Sequence, residues 1–100
     1  MVEVTWTEQS LVDINNIAEF IAKDSHKYAQ IQVQRFFKQV EVLESHPKAG
    51  RVVPELGIDK IRELIQGNYR IIYEIISESS ISILTVHHSR RLLSNNPSFD

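Results

Sequence analysis

His87 and His88 form the one adjacent pair of side chains in this 100-residue chain able to take up and release a proton near neutral pH. Cleaving RNA by in-line attack of a 2′-hydroxyl needs a base, an acid, and cations that hold the charge building on the phosphorane. By residue type, His87 with Arg62, Arg70 and either Tyr69 or Tyr73 supplies that set. The simpler reading of His87 is a partly buried ring hydrogen-bonded across a sheet. Arg51, Arg62, Arg70, Arg90 and Arg91 carry a second kind of chemistry, because a guanidinium pairs bidentately with carboxylate or phosphate. They form either a basic face for an acidic partner, a nucleic acid or a protein target, or internal salt bridges with Glu55, Glu63 and Glu74. Arg90 and Arg91 have few acidic neighbours in sequence and are assigned to interaction. For Arg62 and Arg70 both readings stay open.

Other chemistries are removed by composition. There is no cysteine, so no disulfide and no thiolate metal site. No histidine and carboxylate spacing matches a metal site, and three glycines do not make a phosphate-cradling loop. No cofactor or metal is therefore expected. The serines read as caps and turns, and His26 and His46 as helix-boundary groups. No apolar run approaches the roughly 20 residues that cross a bilayer, and the opening MVEVTWTEQS has neither a basic start nor an apolar stretch. A cytoplasmic, membrane-free protein is the expectation. The net charge is −2, which argues against a life of phosphate contacts. Residues 51–100 nonetheless concentrate arginine, with Lys60 their one lysine.

These side chains must be positioned by a small set of elements. Val2 to Trp6 alternates like a strand. Thr7 caps a helix expected from Glu8 to Lys23, with Leu11, Ile14, Ile17 and Ile21 as its apolar stripe. Ser25 caps a second helix, where Ala29, Val33, Phe36, Val40 and Leu43 repeat at four, three, four and three. The short link between them reads as an antiparallel hairpin. His46-Pro47 closes the second helix, and an irregular loop runs to Gly57. Strands are expected over Lys60 to Gln66, Tyr69 to Ile76 and Ile81 to His87, with a tight turn at Gly67-Asn68. Tyr69 to Ile76 is apolar on both faces, as in a central strand. The first strand joins the sheet at an edge. Trp6, Phe36, Phe37, Tyr69 and Tyr73 read as core. The whole is one α+β domain over residues 1–100, with 91–100 a loose tail.

The same residues resemble a known family. Val4-Thr5-Trp6-Thr7 leads into Asp13-Ile14-x-x-Ile17-Ala18-x-Phe20-Ile21, and the second helix ends in LESHPKAGRVVPEL, residues 43–56. IREL follows at 61–64, NYRIIYEI at 68–75 and ILTVHHSRR at 83–91. This ordered set resembles the ParE-type toxins of the RelE/ParE superfamily over about residues 2–91. The resemblance implies a β-α-α-β-β-β fold, with the N-terminal helical hairpin packed on a small curved antiparallel sheet. It implies a toxin of a type II toxin–antitoxin system of the plasmid-stabilisation kind, silenced by a ParD-like antitoxin that wraps around it. ParE-type members are associated with poisoning DNA gyrase, whereas RelE-type relatives cleave mRNA in the ribosome. This chain departs from the nuclease pattern in being slightly acidic and poor in sheet lysines, so gyrase inhibition without enzymatic chemistry is the leading expectation. Two alternatives remain: a ribosome-dependent endoribonuclease using His87, Arg62, Arg70 and Tyr73, and a degenerate toxin kept as an antitoxin-binding or corepressor module. Direct sequence-specific DNA binding by the chain alone is not expected.

Overall fold

Two hydroxyl groups set where the helical layer begins. In the structure, a computed structural model describing residues 1–89, 91 and 93–99, Thr7 Oγ1 accepts from the Ser10 N–H at 3.1 Å and Ser25 Oγ from the Tyr28 N–H at 3.2 Å. Each satisfies a backbone donor that the first helical turn leaves unpaired. They start α1 (Glu8–Ala22) and α2 (His26–Gln39), and α2 tightens into a 3₁₀ turn over Val40–Glu44 before His46-Pro47. The buried stripe of α1 is rotated from the expected one. Leu11 is exposed and Ser10 is fully buried. Burial of Ser10 is tolerated because its hydroxyl donates back to the Thr7 carbonyl at 2.7 Å.

The sheet has five strands: β1 (Glu3–Trp6), β2 (Arg51–Val52), β3 (Ile61–Gln66), β4 (Tyr69–Ser77) and β5 (Ser80–His88), in the order β1-β5-β4-β3-β2. The α+β architecture is the expected one, and β4 is central, as its two apolar faces require. Two details differ. The irregular loop contains the short strand β2, and β1 pairs parallel to β5, so the sheet is mixed rather than wholly antiparallel. The helical hairpin carries the chain back to the start of β1, where the Glu44 carbonyl accepts from the Val2 N–H at 3.0 Å, so β3 runs the same way as β1 and β5, two antiparallel steps later, lies parallel to it. Glycine serves the turn between β3 and β4, where Gly67 sits at φ +59°.

Alternation along the strands divides the side chains between two faces. Leu64, Ile71, Tyr73, Ile81, Ile83 and Val86 point toward the helices and join Ile14, Phe36, Val40 and Leu43 in the main core. Phe36 is fully buried and meets Tyr69 edge-on at 5.4 Å, a favourable quadrupole arrangement. Phe37, expected in the core, is 39% exposed and stacks on Trp6. On the opposite face Ile72 and Val53 form a second cluster with Leu93. Residues 93–99 are thus not the loose tail expected of them: two 3₁₀ turns (Leu93–Asn95 and Pro97–Phe99) lie against the sheet, with Leu93 and Asn96 buried. The driving force is apolar, because Ile72 and Leu84 would otherwise face water.

Tyr73 ties the loop before β2 to this core. It is fully buried, its hydroxyl donates to the Pro47 carbonyl at 2.7 Å and accepts from the Gly50 N–H at 3.0 Å. A Cβ on Gly50 would lie 2.5 Å from the Glu63 carbonyl oxygen and 2.8 Å from the Tyr73 hydroxyl. Tyr73→Phe leaves both loop groups without their partner and is expected to cost roughly 1–3 kcal/mol. Gly50→Ala is expected to cost at least as much, through overpacking. Denaturant midpoints check both; a Tyr73→Phe protein as stable as the parent would remove the hydroxyl's role.

Candidate partner-binding groove

The arginines read from sequence as either a basic face or internal salt bridges are arranged first by a buried carboxylate. Glu63 has no exposed side-chain surface. Its two oxygens accept from Arg51 Nε at 2.6 Å and from Arg70 Nε at 2.7 Å. Arg70, itself almost wholly buried, then grips Glu55 with both terminal nitrogens, at 2.6 and 2.7 Å. The result is an alternating chain, Arg51–Glu63–Arg70–Glu55, laid across β2, β3, β4 and the loop after β2. Arg62 points to the other face of β3. It donates to the Gly50 carbonyl at 3.0 Å, and to the backbone and carboxylate of Asp59, both at 2.9 Å. Arg62 and Arg70 therefore take the internal pairing. Arg91 is exposed. Arg90 lies outside the described residues.

The hydrogen bonds of Arg70 draw the Glu55 carboxyl from 4.5 down to about 2. Glu55 in turn, with Glu63, holds the Arg70 cation more firmly than usual against the opposing effect of burial.

The residues named for RNA cleavage do not converge. Arg70 and His87 are register partners on β4 and β5, on the face covered by the tail. Arg62 and Tyr73 are register partners on β3 and β4, on the face covered by the helices. Burial raises the Tyr73 hydroxyl, partly offset by its bond from Gly50 and by the Arg62 charge. His87 is buried with both ring nitrogens engaged: Nε2 lies 2.9 Å from the Arg91 carbonyl and Nδ1 2.9 Å from Asn96 Nδ2. A carbonyl can only accept and an amide nitrogen can only donate. Nε2 accordingly donates to the Arg91 carbonyl, and Nδ1 accepts from Asn96.

The direction of that bond is fixed by a longer network. Asp13 Oδ2 on α1 accepts from the Thr85 hydroxyl and from the Val86 N–H. Thr85 Oγ1 then accepts from Asn96 Nδ2 at 3.0 Å, while Asn96 Oδ1 accepts from the Ser98 N–H at 2.9 Å. Flipping the amide would break these contacts together. Sequence reading missed Asp13, Thr85 and Asn96. The signal was a threonine inside the otherwise apolar run Ile83 to Val86, facing a carboxylate that flanks the α1 stripe.

The same residues shape an open groove. β1 stops at Trp6, opposite Ile83, so the edge of β5 beyond it has no neighbouring strand. Thr7 closes the first part, its hydroxyl donating to the Ile83 and Leu84 carbonyls at 2.7 and 3.0 Å, and Asp13 closes the next. Past that point α1, the end of β5 and the tail enclose about 740 Å³. Tyr69, Val86 and His88 line its inner side, and Phe20 and Arg91 its rim. Phe20 is 69% exposed, with the Lys23 ammonium 5.7 Å above its ring. Largely apolar walls with cations at the rim suit a peptide segment entering beside an open strand edge. Among the described residues no group of three His, Asp or Glu could hold a metal, and no helix is long and apolar enough to cross a membrane.

Comparison with known proteins agrees with this architecture. A family model described as the ParE toxin of the type II toxin–antitoxin system parDE matches residues 4–93. No curated protein matches significantly. Nine chains of solved structures do. One, described as the chromosomal ParDE TA system from P. aeruginosa, aligns with a TM-score of 0.72 at 20% identity, covering 88% of this chain and 96% of that one.

Two outcomes follow from the polar networks. Glu55 is depressed in the folded state, so its contribution is present above the unfolded value of 4.5 and is lost as pH falls toward 2. Glu55→Gln should flatten the acid limb of the stability curve between those values. Because Glu55 is partly exposed, the difference at neutral pH should be below about 1 kcal/mol; an unchanged acid limb would contradict the pairing. Asn96→Ala should loosen the tail from the sheet. It should lower stability by roughly 1–3 kcal/mol and speed amide exchange selectively over residues 93–99, which hydrogen-exchange mass spectrometry reads.

Proposed function

This chain belongs to the ParE toxin family of type II toxin–antitoxin systems, and from that premise we propose that it arrests growth by binding DNA gyrase and is neutralised by a ParD-like antitoxin. The observation that carries the choice of target is the dispersal of the cleavage set. Arg70 is held between Glu55 and Glu63, Tyr73 is buried, and His87 is buried and bonded at both nitrogens. An in-line cleavage needs an accessible base and cations on one side of the scissile phosphate, and here these groups are divided between two covered faces. The net charge of −2 further disfavours docking on ribosomal RNA. The action left to the fold is recognition of a protein.

The antitoxin's place is the groove between α1 and the end of β5. An amphipathic segment could bury an apolar side chain against Phe20 and Tyr69, and set a carboxylate beside Arg91. Its backbone would reach the uncovered edge of β5. This assigns partner binding to Arg91 among the arginines named from sequence, and adds Phe20.

The test is inducible expression without an antitoxin, in wild-type form and as His87→Gln. Growth arrest with filamentation, a DNA-damage response and intact transcripts is the expected result, and His87→Gln should remain toxic in proportion to its folded amount. Rapid transcript cleavage at ribosomes, abolished by His87→Gln, would overturn the gyrase reading. A folded chain with no effect on growth would leave only the partner-binding module.

A further inference from the structure

Free positive charge lies where the sequence did not place it. Lys48, Arg51, Lys60, Arg62 and Arg70, all on the sheet or its loops, each have a carboxylate within 4 Å. On α2, Lys27, Arg35 and Lys38 have no ion pair or side-chain hydrogen bond among the described residues. No Asp or Glu occurs anywhere in that helix. The core face of α2 is set by Ala29, Val33 and Phe36. At 100° per residue, Lys27, Gln34 and Lys38 stand on the opposite side, with Ile31 and Arg35 beside them. The three cations extend along roughly 16 Å of one helix face. Tyr28 and Phe37, both exposed, flank the stripe.

Within the helix this pattern is unfavourable. Arg35 and Lys38 are like charges three residues apart, and Lys27 sits in the first turn, against the positive end of the dipole. The first turn carries no acid to offset it. A helix held only by its own core would gain from a carboxylate at any of these outward positions. An opposite charge supplied from outside removes the penalty.

We infer that the outer face of α2 is a docking surface for an acidic, partly apolar helical segment of a protein partner, separate from the groove beside β5. Carboxylates of that segment meet Lys27, Arg35 and Lys38, and its apolar side chains cover Ile31 and Tyr28. A nucleic acid duplex fits less well: the chain's net charge of −2 opposes a polyanion's approach, and stacked base pairs offer no free face to the flanking aromatic rings. The inference does not depend on the toxic activity proposed above.

The experiment uses the full chain and the variant K27Q/R35Q/K38Q. Fluorescence anisotropy is read against three labelled probes. One is an amphipathic peptide of about 18 residues with three glutamates and several leucines along one face. The second is the same composition with the glutamates spread around the helix, and the third is a DNA duplex of about 20 base pairs. The matched peptide should bind roughly tenfold more tightly than the scrambled one and weaken between about 50 and 200 mM salt. The triple variant should lose that roughly tenfold advantage at a melting temperature no lower than the parent's, whereas Phe20→Ala in the groove should keep it. Equal binding of the two peptides, undiminished binding by the triple variant, or preference for the duplex would each overturn the inference.

Discussion

A carboxylate with no water around it constrains much of this protein. Glu63 stands in the middle of β3 with its side chain fully covered, and an isolated buried charge would cost several kcal/mol. The cost is offset only because two guanidinium groups reach it from neighbouring segments, Arg51 from β2 and Arg70 from β4. Those contacts work in one strand register. A slip by one residue would turn Glu63 toward the helices and leave both arginines facing an apolar surface. The ion pairs therefore specify β2 against β3 and β3 against β4, which hydrophobic alternation alone would fix less sharply. They also draw in Glu55, and with it the loop after β2.

The second constraint is the unequal length of β1 and β5. β1 contributes four residues and β5 nine, so a parallel pair between them leaves half of β5 uncovered. Open strand edges invite pairing with other chains. Here α1 meets part of that edge through Thr7 and Asp13, and the tail meets the adjoining face through Asn96. What remains open is the groove. Its position follows from chain lengths and caps rather than from any single binding residue. His87 sits at the junction of these pieces, and the engagement of both its ring nitrogens is a consequence of joining them.

Together these two constraints separate function from the residues that looked most chemical. The sheet's arginines stabilise the fold, and the histidine fastens the tail. Accessible chemistry moves outward, to the aromatic rim beside β5 and to the unpaired cations of α2. Both are the surfaces proposed above for recognition, in a chain that belongs to the ParE toxin family.

Much of this was legible in the amino-acid sequence. The caps at Thr7 and Ser25, the α2 stripe from Ala29 to Leu43, the turn at Gly67 and the doubly apolar β4 are local signals, each confined to a few residues and to one periodicity. They determined the element order, and with the family motifs the fold. Tertiary structure alone decided the rest. Whether Arg62 and Arg70 meet a partner or an internal acid depends on Glu63, Gly50 and Asp59 arriving from other segments. Whether residues 93–99 hang free depends on Asn96 finding Thr85 and His87 on β5. Sequence fixes which groups can pair; only the register and crossing of distant strands brings a given carboxylate to a given guanidinium, because such a bond acts over about 3 Å while its partners lie many residues apart.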